Sequence, residues 1–207
     1  MHSNPRETVT ARRFASALAI ATACAAPLAA QGDTWNIDPN HTAAQFAVKH
    51  LMVSTVRGQF EKTSGTIQWD AKDPTTIKAN VTIDAASVNT RVDARDNDLR
   101  SANFFDVAQF PTITFVSKKV TAAAGGMLKM TGDLTMHGVT KEVVLDLEPP
   151  GAPVKQGQNL RVGASATTKI NRHDWGLNYG RMVEAAPVVG DEITITLDIE
   201  ATRRANP

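Results

Sequence analysis

The sequence has 207 residues, with 22 lysines and arginines against 21 aspartates and glutamates, for a formal charge of +1. That balance argues against nucleic acid or an anionic membrane as the main partner, since either would call for a strongly basic surface. The length suits one domain with a sizeable core and is short for two.

The first 30 residues read as an export signal: Arg12 and Arg13 precede the apolar stretch FASALAIATACAAPLAA, and small residues lead to a cut after Ala30. The expected organisation is therefore a signal peptide over residues 1–30 and one folded domain over residues 31–207, destined for the periplasm. The mature chain would carry 19 basic and 20 acidic residues, which is again near neutral. The single cysteine, Cys24, falls inside the export segment, so the folded part has no disulfide, thiol nucleophile or cysteine metal ligand. Ala21 stands three residues before Cys24, where a lipidation site would carry leucine. No run of about 18 apolar residues follows Ala30, and no transmembrane helix is expected in the mature chain.

Beyond Gln31 the hydropathy alternates with the strand period of two. A short opening strand is expected around Trp35 and Ile37, followed by strands over residues 42–49 and 56–69. IKANVTID then turns Ile77, Ala79, Val81 and Ile83 to one face and Lys78, Asn80 and Thr82 to the other. DARDNDLRSANFF, from Asp93 to Phe105, breaks the alternation and predicts a short helix, with Leu99, Phe104 and Phe105 buried and Asp96 paired to Arg100 on the wet face. Further strands are expected over 112–120, 127–136, 140–147 and 160–170. Turn signals at Gly125–Gly126, His137–Gly138 and PPGAPVKQGQN separate them. DEITITLDIEA closes the series with Ile193, Ile195, Leu197 and Ile199 inward. Eight or nine sequential antiparallel strands predict an all-β sandwich or closed barrel, with the helix across one end.

Motifs for chemistry are sparse. His41, His50, His137 and His173 form no HxH or HExxH pattern, so no metal site is expected. No GxSxG elbow accompanies the serines, and His173 beside Asp174 lacks an identifiable nucleophile. No glycine-rich phosphate loop occurs, and no cofactor is expected. The apolar residues say more: an eight-stranded barrel either packs its interior or keeps room for one ligand, and periodicity leaves both open.

Specific segments add to this. TWNIDPNHTAAQFAVKHLMVSTVRGQF, RDNDLRSANFFDVAQFPTITFVSKKV, GDLTMHGVTKEVVLDL, INRHDWGLNYG and VGDEITITLDIEA occur in order over residues 33–202. Together they resemble the YceI-like family of exported lipid-binding proteins. The resemblance implies a lipocalin-like antiparallel eight-stranded β-barrel, whose elongated apolar interior holds a long-chain isoprenoid or related amphiphilic lipid. The family commonly has histidine where this chain has Asp98, and aspartate where it has Asn103.

The expected function is thus a periplasmic carrier of long-chain isoprenoid lipids without catalytic residues. The alternatives are binding of a quinone, fatty acid or fatty amide in stress or respiration, an enzyme acting on an amphiphile, and a packed structural sandwich. Phe46, Val48, Phe60, Val81, Ile83, Phe115, Met130 and Trp175 are the candidate cavity residues, with Met130 able to follow bends in a lipid chain. Arg57, Asn89, Asp98 and Arg172 are candidates for holding a headgroup at an open end. Nothing in the sequence fixes the oligomeric state, which leaves room for a homodimer.

Overall fold

The computed structural model describes residues 33–180, 182–183 and 186–205, together with Met1 and His2. The rest of the expected export segment lies outside the described residues. The chain runs β1 (Asp33–Ile37), β2 (Ala43–His50), β3 (Ser54–Phe60), β4 (Thr63–Asp70), β5 (Asp73–Asp84), β6 (Val88–Asn89) and α1 (Asp93–Arg100). It continues through β7 (Thr112–Ala122), β8 (Leu128–Met136), β9 (Val139–Leu147), β10 (Val154–Gln156), β11 (Asn159–Asn171), β12 (Met182–Val183), β13 (Ala186–Pro187) and β14 (Val189–Arg204).

Twelve strands form one sheet in the order β10-β11-β9-β8-β7-β5-β4-β1-β14-β2-β3-β6, and β12–β13 is a separate ribbon. β14 also pairs with β11, from Asn159↔Arg204 to Asn171↔Glu192, which curls the sheet around its apolar face. The other edge of β14 serves two strands. β1 takes its end at Asn36↔Thr202 and Ile37↔Ala201, and β2 takes Asp198↔Ala43 through Ile193↔Val48. The sheet forks between them: β1 continues to β4, whereas β2 continues to β3 and β6. At the fork the Asp38 N–H donates to the Glu200 carbonyl (2.8 Å), and the Glu200 N–H donates to the Thr42 hydroxyl (3.1 Å). Both backbone groups of Glu200 are thereby satisfied where the ladder skips from one partner to the next.

This corrects the expected eight-stranded closed barrel. The sheet has twelve strands, starts on β10 and ends on β6, and both end strands keep a free edge. The reason lies in residues 91–110. β6 is two residues long because the chain then leaves as a helix instead of extending along β3. Arg100 takes over part of a strand's work there, donating to the carbonyls of Ala86 and Val88, each at 2.8 Å. The expected strand over 56–69 is likewise two strands. The chain breaks at Glu61 and Lys62, whose N–H groups donate to the carbonyl and hydroxyl of Ser87 (both 3.1 Å).

The helix ends at Arg100, and the chain from Ser101 to Phe110 continues as turns rather than helix. The expected Asp96–Arg100 pair does not form. Asp96 is buried, and its carboxylate accepts from the Thr90 N–H (2.9 Å) and the Thr90 hydroxyl. A buried carboxylate is costly without such donors, and this outweighs a wet-face pair of a few tenths of a kcal/mol.

Gly65 on β4 has φ +143°, and a Cβ there would lie 2.1 Å from the Asn80 carbonyl oxygen on β5. Gly65→Ala should therefore lower unfolding free energy by about 2–3 kcal/mol, read from the urea midpoint. Gly125→Ala, at φ +69° with open space around it, should cost only about 1 kcal/mol. Equal costs would show that the β4–β5 contact is not the source of the constraint.

Candidate functional site

Alternation on the curled sheet sends one face of every strand inward. Ile77, Val81 and Ile83 from β5 face Ile193, Ile195 and Leu197 from β14 across a cavity of about 220 Å³. At one side, rings from three elements meet, one pair tilted and the other edge to face. Phe46 of β2 and Phe60 of β3 lie 5.8 Å apart, and Phe105 from the turns after α1 is 5.5 Å from Phe60. Leu99 of α1 completes this wall, so helix and turns fill the gap that the short β6 leaves open. Phe104 stacks on Tyr179 at 4.7 Å.

Eight of the twelve residues singled out from sequence lie on this cavity: Phe46, Val48, Phe60, Val81, Ile83, Phe115, Met130 and Arg172. Trp175 does not. It is buried beneath β8, with its indole N–H donating to the Leu134 carbonyl at 3.1 Å, and it packs in the core. Arg57 is exposed on the outer face of β3, opposite Ala47. Asn89 donates to Glu61 (2.6 Å) and accepts from the Arg91 N–H (2.8 Å), which fixes the turn before α1. Asp98 accepts from the Asn103 side chain at 2.7 Å, so the two positions that depart from the family pattern bond to each other and tie the helix end to the next turn.

Arg172 differs from the solvated residue its type suggests. It is 4% exposed and donates to the carbonyls of Leu177, Gly190 (3.1 Å) and Val189 (3.4 Å) and to the Asp191 carboxylate (3.0 Å). Its charge is thereby committed to holding the turn after β11 against the start of β14. His173 is held by Asn178 (2.9 Å) and Asp191 (2.8 Å), not by Asp174. Sequence reasoning missed Ile195, Leu134 and Leu145 as cavity residues. Their signal was the same period-two alternation that turns Ile195 inward.

Among the described residues, Asp38, His41 and Glu200 have metal-ligand spacing. The Arg161 guanidinium already occupies their carboxylates, 2.8 Å from Asp38 and paired also to Glu200. A metal ion would have to displace a fixed cation, and the group acts instead as an ionic clamp across the fork. Arg161, His41 and the Asn40 N–H hold the Asp38 carboxyl down from its ordinary 3.8 to about 2. A depressed carboxylate stabilises the fold fully above its unfolded value and loses that contribution as pH falls toward its folded value. Asp38→Asn should therefore cost about 1 kcal/mol at pH 7, the pair being partly solvated. The gap between variant and parent should close between pH 4 and pH 2 in urea titrations, and a gap independent of pH would contradict the clamp.

A family model for the YceI-like domain matches residues 35–201. A UPF0312 protein of Staphylococcus aureus (strain MSSA476) is 37% identical over 156 residues, covering 75% of this chain and 88% of that protein. A Campylobacter jejuni YCEI protein of known structure is 34% identical, with a TM-score of 0.65 over 76% of this chain and 90% of its own. BcnA of Burkholderia cenocepacia matches at TM-score 0.68 and 22% identity, over 79% of this chain and 98% of that one. A polyisoprenoid binding domain from Saccharophagus degradans, implicated in plant cell wall breakdown, matches at TM-score 0.61 and 19% identity, over 83% and 98%. These last two likenesses are of fold alone. With the family model spanning nearly all of the described fold, the chain belongs to the YceI-like domain family.

Proposed function

We propose that the protein is a non-catalytic periplasmic carrier of an amphiphile with a long apolar chain, an isoprenoid lipid first among them. The observation that carries this reading is the cavity of about 220 Å³, walled by apolar side chains from β5 and β14 on opposite sides of the curled sheet. Each methylene moved from water into such a space contributes about 0.8 kcal/mol, partly offset by ordering the chain. Among the described residues the one charged group on the wall, Arg172, is already engaged by carbonyls and Asp191, so a polar headgroup belongs outside. The polyisoprenoid binding named for the Saccharophagus domain supports the isoprenoid class as the chain.

The volume favours a second reading. Ligand sites typically offer about 300–1,000 Å³. A cavity of about 220 Å³ takes a quinone, fatty acid or fatty amide with less rearrangement than a long isoprenoid. The isoprenoid requires flexible residues such as Met130 to swing aside, or part of the chain to project from the open end.

Organic extraction of the exported protein, followed by mass spectrometry, distinguishes a prenyl series from acyl chains or quinones. Val81→Phe adds a ring inside the cavity. It should fold with a cost of about 1–3 kcal/mol and lower copurified lipid about tenfold. Trp175→Ala, outside the cavity wall, should instead cost about 3–5 kcal/mol of stability. Extraction that yields no lipid from the parent, or undiminished lipid in folded Val81→Phe, overturns the carrier reading.

A further inference from the structure

The three-residue connection between β2 and β3, built on a β-turn from His50 to Val53, departs from what such turns require. The Val53 N–H donates to the His50 carbonyl (3.1 Å), and the two central residues, Leu51 and Met52, have φ of +50° and +60°. This mirror-image turn favours Asn-Gly, because a Cβ in the left-handed region is strained. Leucine and methionine occupy it here; Leu51 is half-buried, while the apolar side chains of Met52 and Val53 point to solvent, 57% and 82% exposed. A single exposed apolar residue, such as Val154 on the edge strand β10, is ordinary. Two adjacent ones on a strained tip call for a partner.

The position of the tip narrows the partner. Val48 and Val189, on the strands just below it, both line the cavity, and His50 pairs with Val189. Leu51 N–H donates to the Val188 carbonyl at 3.2 Å, which fastens the tip to the chain entering β14. Lys49 and Arg57 are exposed on the outer face of the same hairpin. Neither makes an ion pair among the described residues, whereas Asp191 and Glu192 on the neighbouring strand are engaged by Arg172 and Lys169. An apolar tip with Lys49 beside it and Arg57 further along the same hairpin, at one end of the apolar cavity, is complementary to an anionic bilayer surface: side chains enter the acyl boundary while lysine and arginine meet the headgroups.

We infer that the β2–β3 tip docks this protein on an anionic lipid bilayer and brings the cavity end bounded by Val48 and Val189 to the membrane surface. This rests on the carrier reading above. The near-neutral net charge excludes recruitment by the overall field, so docking is local and weak, as suits a carrier that must leave the membrane again.

The test uses the exported protein with vesicles of phosphatidylcholine, with or without phosphatidylglycerol, read by co-sedimentation, alongside thermal unfolding and lipid extraction. The parent should bind vesicles containing phosphatidylglycerol, and Lys49→Gln and Arg57→Gln should each weaken binding about fivefold. Leu51→Asn with Met52→Gly relieves the turn, so the melting temperature should rise by about 4 °C while vesicle binding falls about tenfold. Copurified lipid should be unchanged in all of these variants, since none alters the cavity wall. Vesicle binding absent from the parent, or undiminished in the Leu51→Asn/Met52→Gly protein, overturns the docking assignment. If lipid is still extracted, the carrier reading stands apart from that failure; an empty parent protein would remove both.

Discussion

The edge of β14 is the constraint from which the rest of the structure follows. A backbone N–H or C=O left buried and unpaired costs as much as a lost hydrogen bond, and one edge of this sixteen-residue strand has to be satisfied by β1 and β2 in succession. The corner between them supplies the Asp38 N–H and the Thr42 hydroxyl to Glu200, and the Arg161 clamp fastens the same point through side chains. The other edge of β14 runs along β11, and the sheet curls. Curling turns a face that would otherwise be a broad apolar surface into an interior.

The fork also explains why the interior is not filled. β2 and β3 splay away from β1 and β4, and that branch of the sheet ends on the two-residue β6. Leu99 and Phe105 cover that side as a plug of large side chains rather than as a strand. Among the described residues, the space left between β5 and β14 has no uncommitted charge on its wall. Arg172 is fixed on that wall by backbone carbonyls, and Phe104, also on the wall, stacks on Tyr179.

Much of this was legible in the sequence because period-two alternation is a local signal. Ile77, Val81, Ile83, Ile193, Ile195 and Leu197 declare their inward face from their neighbours alone, and the charged run after Asp93 declares a helix. The fork was not legible: it depends on Asp38 and Thr42 meeting Glu200 across most of the chain, and no local pattern encodes that pairing. The polar candidates fared differently from the apolar ones for a related reason. Asn89 and Asp98 are spent on turns, Arg57 faces outward, and Arg172 is buried on carbonyls, because the partner of a polar side chain is set by tertiary geometry rather than by spacing. Trp175 was misplaced because its size marks it as buried without saying on which side of β8 it lies. The β2–β3 turn escaped notice because Leu-Met lacks the glycine or asparagine that announces such turns.

The most direct measurement is photocrosslinking of the exported protein with an isoprenoid chain bearing a photoreactive group near its apolar end, the adducts being mapped by peptide mass spectrometry. Adducts concentrated on inward residues of β5 and β14, such as Val81 and Ile195, and competed away by unlabelled lipid, are the result this structure predicts. Adducts confined to the outer face, or spread without competition over exposed strands, would contradict a lipid chain held inside the curled sheet.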